Sequence, residues 1–123
     1  MEIAVIAHDS MKQKLMEFLL KNKAFFHNDA FQLIGTGTTG GLAIQNGFNV
    51  LRMLSGPWGG DAQIAGRVAE GKTKLVIFFK DPLANHPHEA DINMLIRVCD
   101  VHNVPLATNE ATAQLIVNSL SLQ

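Results

Sequence analysis

Disulfide-stabilised and membrane-spanning proteins are the first classes that this chain's composition argues against. Its 123 residues contain a single cysteine, Cys99, so no internal disulfide forms and a reducing compartment is expected. No apolar run approaches the roughly 20 residues that a membrane helix needs, and the N-terminus becomes polar too early for a signal peptide. The sequence therefore predicts a cytoplasmic protein with no membrane partner.

A large excess of charge of one sign is also missing, because 10 basic and 11 acidic side chains give a formal net charge of −1. Nucleic acids and anionic membranes are usually bound by strongly basic surfaces, so neither partner is expected. The sequence also lacks a zinc-finger-type set of cysteine and histidine ligands, a Gly-x-Ser-x-Gly elbow and a Walker A motif. We therefore expect neither a bound metal nor a nucleoside triphosphate.

Short apolar runs alternate with amphipathic segments along the whole chain. The alternation predicts strands at residues 3–7, 31–34, 48–54, 74–79 and 104–107, and helices at residues 11–26, 38–46, 61–70, 89–102 and 110–120. This pattern is typical of right-handed crossovers and of a parallel sheet covered by helices on both faces. Since no linker or repeat interrupts the chain, we expect one α/β domain over residues 1–123, with three α/β/α layers.

Polar residues cluster after the predicted strands, at the edge where parallel sheets bind ligands. The clusters are residues 8–12, 35–41, 55–61, 80–88 and 108–109. The connectors at the opposite edge, such as residues 46–47 and 70–73, resemble ordinary turns. The sequence therefore predicts one functional site, at the carboxyl edge of the sheet.

Residues 35–40 read Gly-x-Gly-x-x-Gly between a strand and a helix, which formally matches a dinucleotide-binding fingerprint. That fingerprint also needs an acidic residue about 20 positions further on, and the next acidic residue is Asp61, after the following strand and its turn. Helix N-terminal N–H groups, together with the hydroxyls of Thr36, Thr38 and Thr39, instead favour a site for one phosphate. The alternative is an ordinary turn with a threonine N-cap.

A turn at residues 54–61 contains three glycines and a proline, and it ends in the carboxylate of Asp61. Asp61 is either a helix N-cap or a reactive carboxylate held by a stiff loop. His8 and Asp9, at the end of the first strand, are either structural groups or members of a titratable site. Lys12 is either solvated or directed at the phosphate.

His88 follows a proline, and Asp91 lies three residues further on, where a carboxylate can orient an imidazole and fix its tautomer. The alternative is an acid-rich helix N-terminus, which the helix dipole favours. A carboxylate base, a neutral imidazole and a phosphate site together indicate enolisation of a small phosphorylated carbonyl compound. A positioned base contributes about 10²–10⁴-fold to such a reaction.

Six sequence blocks, in order and at close spacing, resemble a known family. They are His8-Asp9-x-x-Lys12, Thr36-Gly37-Thr38-Thr39-Gly40, Ser55-Gly56-Pro57-x-Gly59-Gly60-Asp61, Phe78-Phe79-x-Asp81-Pro82-Leu83, Pro87-His88-Glu89-x-Asp91 and Pro105-x-Ala107-Thr108-Asn109. Over residues 3–113 the chain resembles the methylglyoxal synthase family.

The resemblance implies a lyase that converts dihydroxyacetone phosphate to methylglyoxal and inorganic phosphate without a cofactor. It also implies a five-stranded parallel sheet of order 3-2-1-4-5, a homohexamer, and inorganic phosphate as product and candidate inhibitor. By the family's pattern, Asp61 is the base, and His88, supported by Asp91, polarises the carbonyl and shuttles protons. The residues implied to hold the phosphate or touch the substrate are His8, Lys12, Thr36, Gly37, Thr38, Thr39, Ser55 and Gly56, while Asp9 and Asp81 order the network.

Two other functions stay open at this point. The same fold serves as the regulatory domain of carbamoyl phosphate synthetase, which binds small effectors without catalysis and does not need Asp61, His88 and Asp91 together. An isomerase or aldolase of triose phosphates would use Lys80 as a Schiff-base amine, although strand alternation directs Lys80 away from Asp81.

Overall fold

The protein is a five-stranded parallel sheet between two layers of helices. The computed structural model describes residues 1–85 and 89–122. Its strands are β1 (Glu2–Ala7), β2 (Gln32–Gly35), β3 (Val50–Arg52), β4 (Thr73–Phe79) and β5 (Leu106–Ala107). Its helices are α1 (Lys12–Lys21), α2 (Lys23–Phe26), α3 (Gly37–Gln45), α4 (Gly60–Ala69), α5 (Glu89–Val101) and α6 (Glu110–Ser121). The strands pair in parallel in the order β3-β2-β1-β4-β5, which confirms the expected fold class and strand order.

Each face of the sheet has its own apolar core, and β1 contributes alternate residues to both. Ile3 and Val5 belong to the core formed with α1, α2, α3 and α6, whereas Ala4 and Ile6 belong to the core formed with α4 and α5. Burial on both faces explains why β1 is a continuous apolar run in the sequence. Cys99 lies in the second core, and burial raises the pKa of its thiol to about 11, so an unreactive packing role is expected.

The helix predicted over residues 11–26 is two helices in the structure. At Asn22 the backbone leaves the helical conformation, with φ −110° and ψ 28°. The Asn22 side chain donates to the Phe18 carbonyl at 2.9 Å and exchanges two hydrogen bonds with Gln114 of α6, at 3.0 and 2.9 Å. The break is thus stabilised by a contact with a distant helix, which sequence periodicity alone does not reveal.

The two edge strands are shorter than predicted. The apolar runs at residues 48–54 and 104–107 shorten to β3 and β5, because ladder pairing extends over only three and two residue pairs. An edge strand pairs with only one neighbouring strand. The apolar run in the sequence therefore includes residues beyond those that form the ladder. Within the described ranges, no helix combines the length and hydropathy needed to cross a membrane.

Candidate active site

A cavity of about 300 Å³ lies at the carboxyl edge of the sheet, beside the point between β1 and β4 where the strand order reverses. Ligands of open parallel sheets bind at this position, and the volume is at the lower end of the range for small-molecule sites. The sequence-predicted residues that line the cavity are His8, Asp9, Lys12, Thr36, Thr38, Thr39, Ser55, Gly56 and Asp61. Ile6, Ala7, Pro57, Trp58 and Phe78 complete the lining.

Asp61 is a buried carboxylate in the first turn of α4, with 1% of its surface exposed. The N-cap interpretation of Asp61 is wrong, because Gly59 occupies the N-cap in the left-handed conformation, with φ +99°. Gly60 is needed for a different reason, since a Cβ there would overlap the Leu54 carbonyl oxygen. The two glycines therefore let α4 begin directly against the preceding segment, which brings Asp61 to the cavity.

The loop after β4 holds His8 in place. The Asp81 N–H donates to His8 Nδ1 at 2.8 Å, so the neutral imidazole carries its proton on Nε2. The Asp81 carboxylate accepts from Ser10 Oγ at 2.7 Å and from the Leu83 N–H at 3.0 Å. His8 is 6% exposed and packs edge-on against Phe78. Asp81 thus joins the loops that follow the two central strands.

Lys12 and Asp9 form an ion pair in the cavity wall. The Lys12 side chain is only 14% exposed, whereas that of Asp9 is 97% exposed. Asp9 does not cap α1, because it begins a short 3-10 turn (Asp9–Met11) and Met11 holds the N-cap position of the helix. Lys12 therefore contributes a cation to the lining from the first turn of α1.

The first turn of α3 forms a threonine-rich wall of the cavity. Thr36 is the N-cap residue of α3, but its side chain makes no capping hydrogen bond. The alternative interpretation, in which the Thr36 hydroxyl caps the helix, is therefore wrong. The N–H groups of Thr38 and Thr39 lie in the first turn, where helical hydrogen bonding supplies no acceptor. Gly37 lies outside the lining, and its N–H donates to the Leu54 carbonyl at 3.0 Å.

The opposite wall is the glycine-rich turn after β3. Ser55 precedes a 3-10 turn (Gly56–Trp58), and its side chain makes no capping hydrogen bond. The Gly60 N–H closes the turn on the Ser55 carbonyl at 3.1 Å, and Gln63 Oε1 accepts from the Leu54 N–H at 2.7 Å. Trp58 is 79% exposed at this wall. The turn is thus fastened to α4, the helix that carries Asp61.

Two predicted residues, Asp91 and Lys80, are not among the described residues that line the cavity. His88 lies outside the described residues, so its predicted role stays a prediction. Asp91 is partly buried in the first turn of α5 and is not among the residues that line the cavity. Lys80, the candidate Schiff-base amine, is absent from the lining as well. Among residues 1–85 and 89–122, no group of three histidine, cysteine or acidic side chains is arranged to hold a metal ion.

No sequence pattern predicts three side chains that fasten the segments around the site to one another. Ser10 and Gln63 are two of them, and the third is Arg52, which donates from Nε to the Gly37 carbonyl at 2.6 Å. The residues that these three contacts join are 9, 15 and 71 positions apart in the sequence. Their one sequence signal is a position close to the end of a strand or the start of a helix.

The comparisons with known proteins agree on one family. A family model described as MGS-like domain matches residues 18–108. The chain is 52% identical to a methylglyoxal synthase of Clostridium botulinum over 118 residues, covering 95% of this chain and 98% of that protein. It is 52% identical to a methylglyoxal synthase of Carboxydothermus hydrogenoformans over 122 residues, covering 98% and 99%. The crystal structure of methylglyoxal synthase from Elizabethkingia anophelis NUHP1 matches with a TM-score of 0.87 and 40% identity, over 94% of this chain and 76% of that one. The chain therefore belongs to the methylglyoxal synthase family.

Proposed function

We propose that the cavity at the carboxyl edge carries out the family's reaction, with Asp61 as the base that acts on dihydroxyacetone phosphate. One observation carries the proposal: a buried carboxylate and the threonine-rich N-terminus of α3 line the same cavity. A triose phosphate has one anionic end and, next to its carbonyl, an acidified C–H bond. The N-terminus of α3 therefore matches the phosphate end of this substrate, and Asp61 matches the end with the acidified C–H bond. The products are methylglyoxal and inorganic phosphate.

The phosphate group binds at the first turn of α3 in this proposal. The donors that we assign to it are the N–H groups of Thr38 and Thr39 and the hydroxyls of Thr36 and Ser55, and all four residues line the cavity. A helix N-terminus attracts anions through its dipole and its N–H groups, and Lys12 adds a positive charge. Each hydrogen bond to the charged phosphate contributes roughly 1.5–3 kcal/mol.

Asp61 removes a proton from the hydroxymethyl carbon beside the carbonyl, which produces an enediolate. The developing negative charge on oxygen needs a hydrogen-bond donor. His8 supplies an Nε2–H from its neutral ring, and His88, supported by Asp91, polarises the carbonyl.

The enediolate then expels the phosphate. The C–O bond to phosphate breaks and its electron pair leaves with the phosphate oxygen, while the enediolate C=C electrons form a new double bond to that carbon. The hydroxyl on the former hydroxymethyl carbon becomes the aldehyde oxygen, and its proton passes to the departing phosphate. The resulting enol takes up a proton at its terminal carbon and becomes methylglyoxal. This step needs the breaking bond perpendicular to the enediolate plane, where the orbitals overlap. An isomerase keeps the phosphate in that plane, so the site at α3 must hold the phosphate out of the plane for the lyase reaction to occur.

The test compares wild type with Asp61→Asn in an assay that measures methylglyoxal and released phosphate from dihydroxyacetone phosphate. We expect equal amounts of both products, and a fall of about 10²–10⁴-fold in both for the variant, because the positioned base is lost. Asp100→Asn, an exposed acid on α5, is the matched control and should keep the wild-type rate. Far-UV circular dichroism verifies that each variant is folded.

Two results would contradict this proposal. An Asp61→Asn variant that turns over at the wild-type rate would exclude Asp61 as the base. A wild-type protein that binds inorganic phosphate but forms neither product would favour the alternative, an effector-binding module of the same fold.

We further propose that copies of this chain assemble as a homohexamer and that the enzyme works in the cytoplasm. Support for an interface comes from exposed apolar side chains on the segments that follow β3 and β4, since exposed apolar patches often mark protein contacts. Leu54 is 53% exposed, Trp58 79% and Leu83 95%. Sedimentation velocity measures the assembly, and a monomeric mass at micromolar concentration would refute the hexamer.

A further inference from the structure

Arg52 ends β3, and its side chain reaches the first turn of α3 without entering the lining of the cavity. Its Nε donates to the Gly37 carbonyl at 2.6 Å. The glycines that follow make room for this contact, because a Cβ on Gly41 would lie 2.9 Å from Arg52 Nη2 and one on Gly40 would lie 3.3 Å from Arg52 Cγ. The glycine-rich segment, which formally matches a dinucleotide fingerprint, thus accommodates a guanidinium.

The hydrogen bond from Arg52 acts on the same peptide unit that carries the Thr38 N–H. The Gly37 carbonyl and the Thr38 N–H share one planar trans peptide, so they point in opposite directions. Holding the oxygen outside the cavity therefore fixes the direction of the N–H, and it also polarises that N–H as a donor. The preceding peptide is fixed as well, since the Gly37 N–H donates to the Leu54 carbonyl at 3.0 Å.

The stability of α3 alone does not account for a guanidinium at this place. The N-terminus of a helix carries a partial positive charge, so a cation beside the first turn is disfavoured by the dipole. An anion bound at the same turn offsets this repulsion. The contact is therefore most favourable when a phosphate is bound.

We propose that Arg52 is a positioning residue for the phosphate, which it serves by orienting and polarising the Thr38 N–H through the Gly37 carbonyl. This inference rests on the proposed function in one respect, because it takes the first turn of α3 as the phosphate site. It assigns Arg52 no contact with the substrate.

Arg52→Met and Arg52→Gln separate the hydrogen bond from the charge. Both side chains have the length of arginine up to Nε, but only glutamine keeps an N–H donor at that position. For Arg52→Met we expect the KM for dihydroxyacetone phosphate and the calorimetric Kd for inorganic phosphate to rise together by about tenfold, with kcat changed less than about threefold. For Arg52→Gln both constants should stay within about threefold of wild type. A purely structural role would not separate KM from kcat in this way.

Gly41→Ala provides a second test of the positioning role, and it should not make α3 less stable than in the wild type. Alanine stabilises a helix relative to glycine, while its Cβ would displace the guanidinium of Arg52. We expect the Kd for inorganic phosphate to rise about threefold while the melting temperature does not fall.

Several outcomes would overturn the proposal. Unchanged phosphate binding in Arg52→Met or in Gly41→Ala would exclude a positioning role. Equally weak binding in the Met and Gln variants would show that the charge, and not the hydrogen bond, matters. A wild type that binds phosphate with the expected variant pattern but forms no methylglyoxal would refute the proposed reaction alone. A wild type that does not bind phosphate would refute the positioning role as well.

Discussion

The two edges of the sheet place a carboxylate in different surroundings. At the amino edge, the Glu2 carboxylate accepts from Arg67 Nε and Nη2 at 2.7 and 2.8 Å and from Thr73 Oγ1 at 2.7 Å. At the carboxyl edge, Asp61 is only 1% exposed and lines a cavity large enough for a small ligand. Protein donors fix the first carboxylate, so it contributes to stability. The second lies in the wall of the cavity, where we propose that it acts as the base.

Removing the guanidinium at the amino edge should have the largest effect on stability. Arg67→Met would leave the Glu2 carboxylate, 12% exposed, with Thr73 alone as its donor among the contacts described above. We expect the free energy of unfolding to fall by about 2–3 kcal/mol, because two hydrogen bonds to a partly buried charge are lost. Urea unfolding measures this change, and kcat and KM should stay at wild-type values.

The control for this prediction is an exposed ion pair at the same edge. Lys72 Nζ and Glu70 Oε2 lie 3.0 Å apart, and the two side chains are 55% and 63% exposed. Because exposed ion pairs contribute little, Lys72→Met should change the free energy of unfolding by less than about 0.5 kcal/mol. If the Arg67 and Lys72 variants lost equal stability, or if Arg67→Met impaired turnover, the division of roles between the edges would be wrong.

The same comparison shows which features a sequence reveals. The site at the carboxyl edge was predictable because loops that follow parallel strands converge whatever their sequence separation. The amino edge was misjudged as a set of ordinary turns. Its network joins Glu2 to Arg67 and Thr73, which are 65 and 71 residues away, and no local pattern marks such a contact.

Within the site itself, residue types were predictable and backbone details were not. The stiff turn before Asp61 was recognised from its glycines, but the helix begins at Gly60, with the N-cap at Gly59. Gly37 was expected to hold phosphate, whereas its N–H is bonded to Leu54 and its carbonyl to Arg52. The first difference arises because α4 begins directly against Leu54, and the second because α3 contacts Arg52 and Leu54. Both depend on the folded geometry. The strand order itself came from the family resemblance and not from periodicity.

A single kind of substitution, applied at both edges, sharpens the comparison further. Thr36 and Thr73 are both buried, with 4% and 0% of their surface exposed, and valine replaces the hydroxyl of each with a methyl group. We expect Thr36→Val to raise the KM about tenfold, because one hydrogen bond to the phosphate is lost, and to change stability by less than about 0.5 kcal/mol. We expect Thr73→Val to lower the free energy of unfolding by about 1 kcal/mol, because Glu2 loses a donor, and to leave the KM unchanged.

Each variant is the control for the other, with steady-state kinetics and urea unfolding measured on both. Reversed results, in which Thr36→Val loses stability or Thr73→Val loses substrate affinity, would show that the edges do not divide the two tasks.

The smallest expected effect is the acid dependence that the amino edge confers. Hydrogen bonds from Arg67 hold the pKa of the Glu2 carboxyl below its ordinary value of 4.5, despite the opposing effect of burial, and Thr73 lowers it further. Since the folded pKa is below the unfolded one, this group stabilises the protein fully above pH 4.5, and the contribution is lost as the pH falls through the folded pKa. The free energy of unfolding of Glu2→Gln should therefore lie below that of wild type at neutral pH, and the difference should shrink below pH 4.5, with a slope of at most about 1.4 kcal/mol per pH unit. Urea unfolding across this range tests the argument. A difference that stayed constant with pH would mean that Glu2 stabilises the edge through its shape and not through its charge, and the contrast with Asp61 would then rest on burial alone.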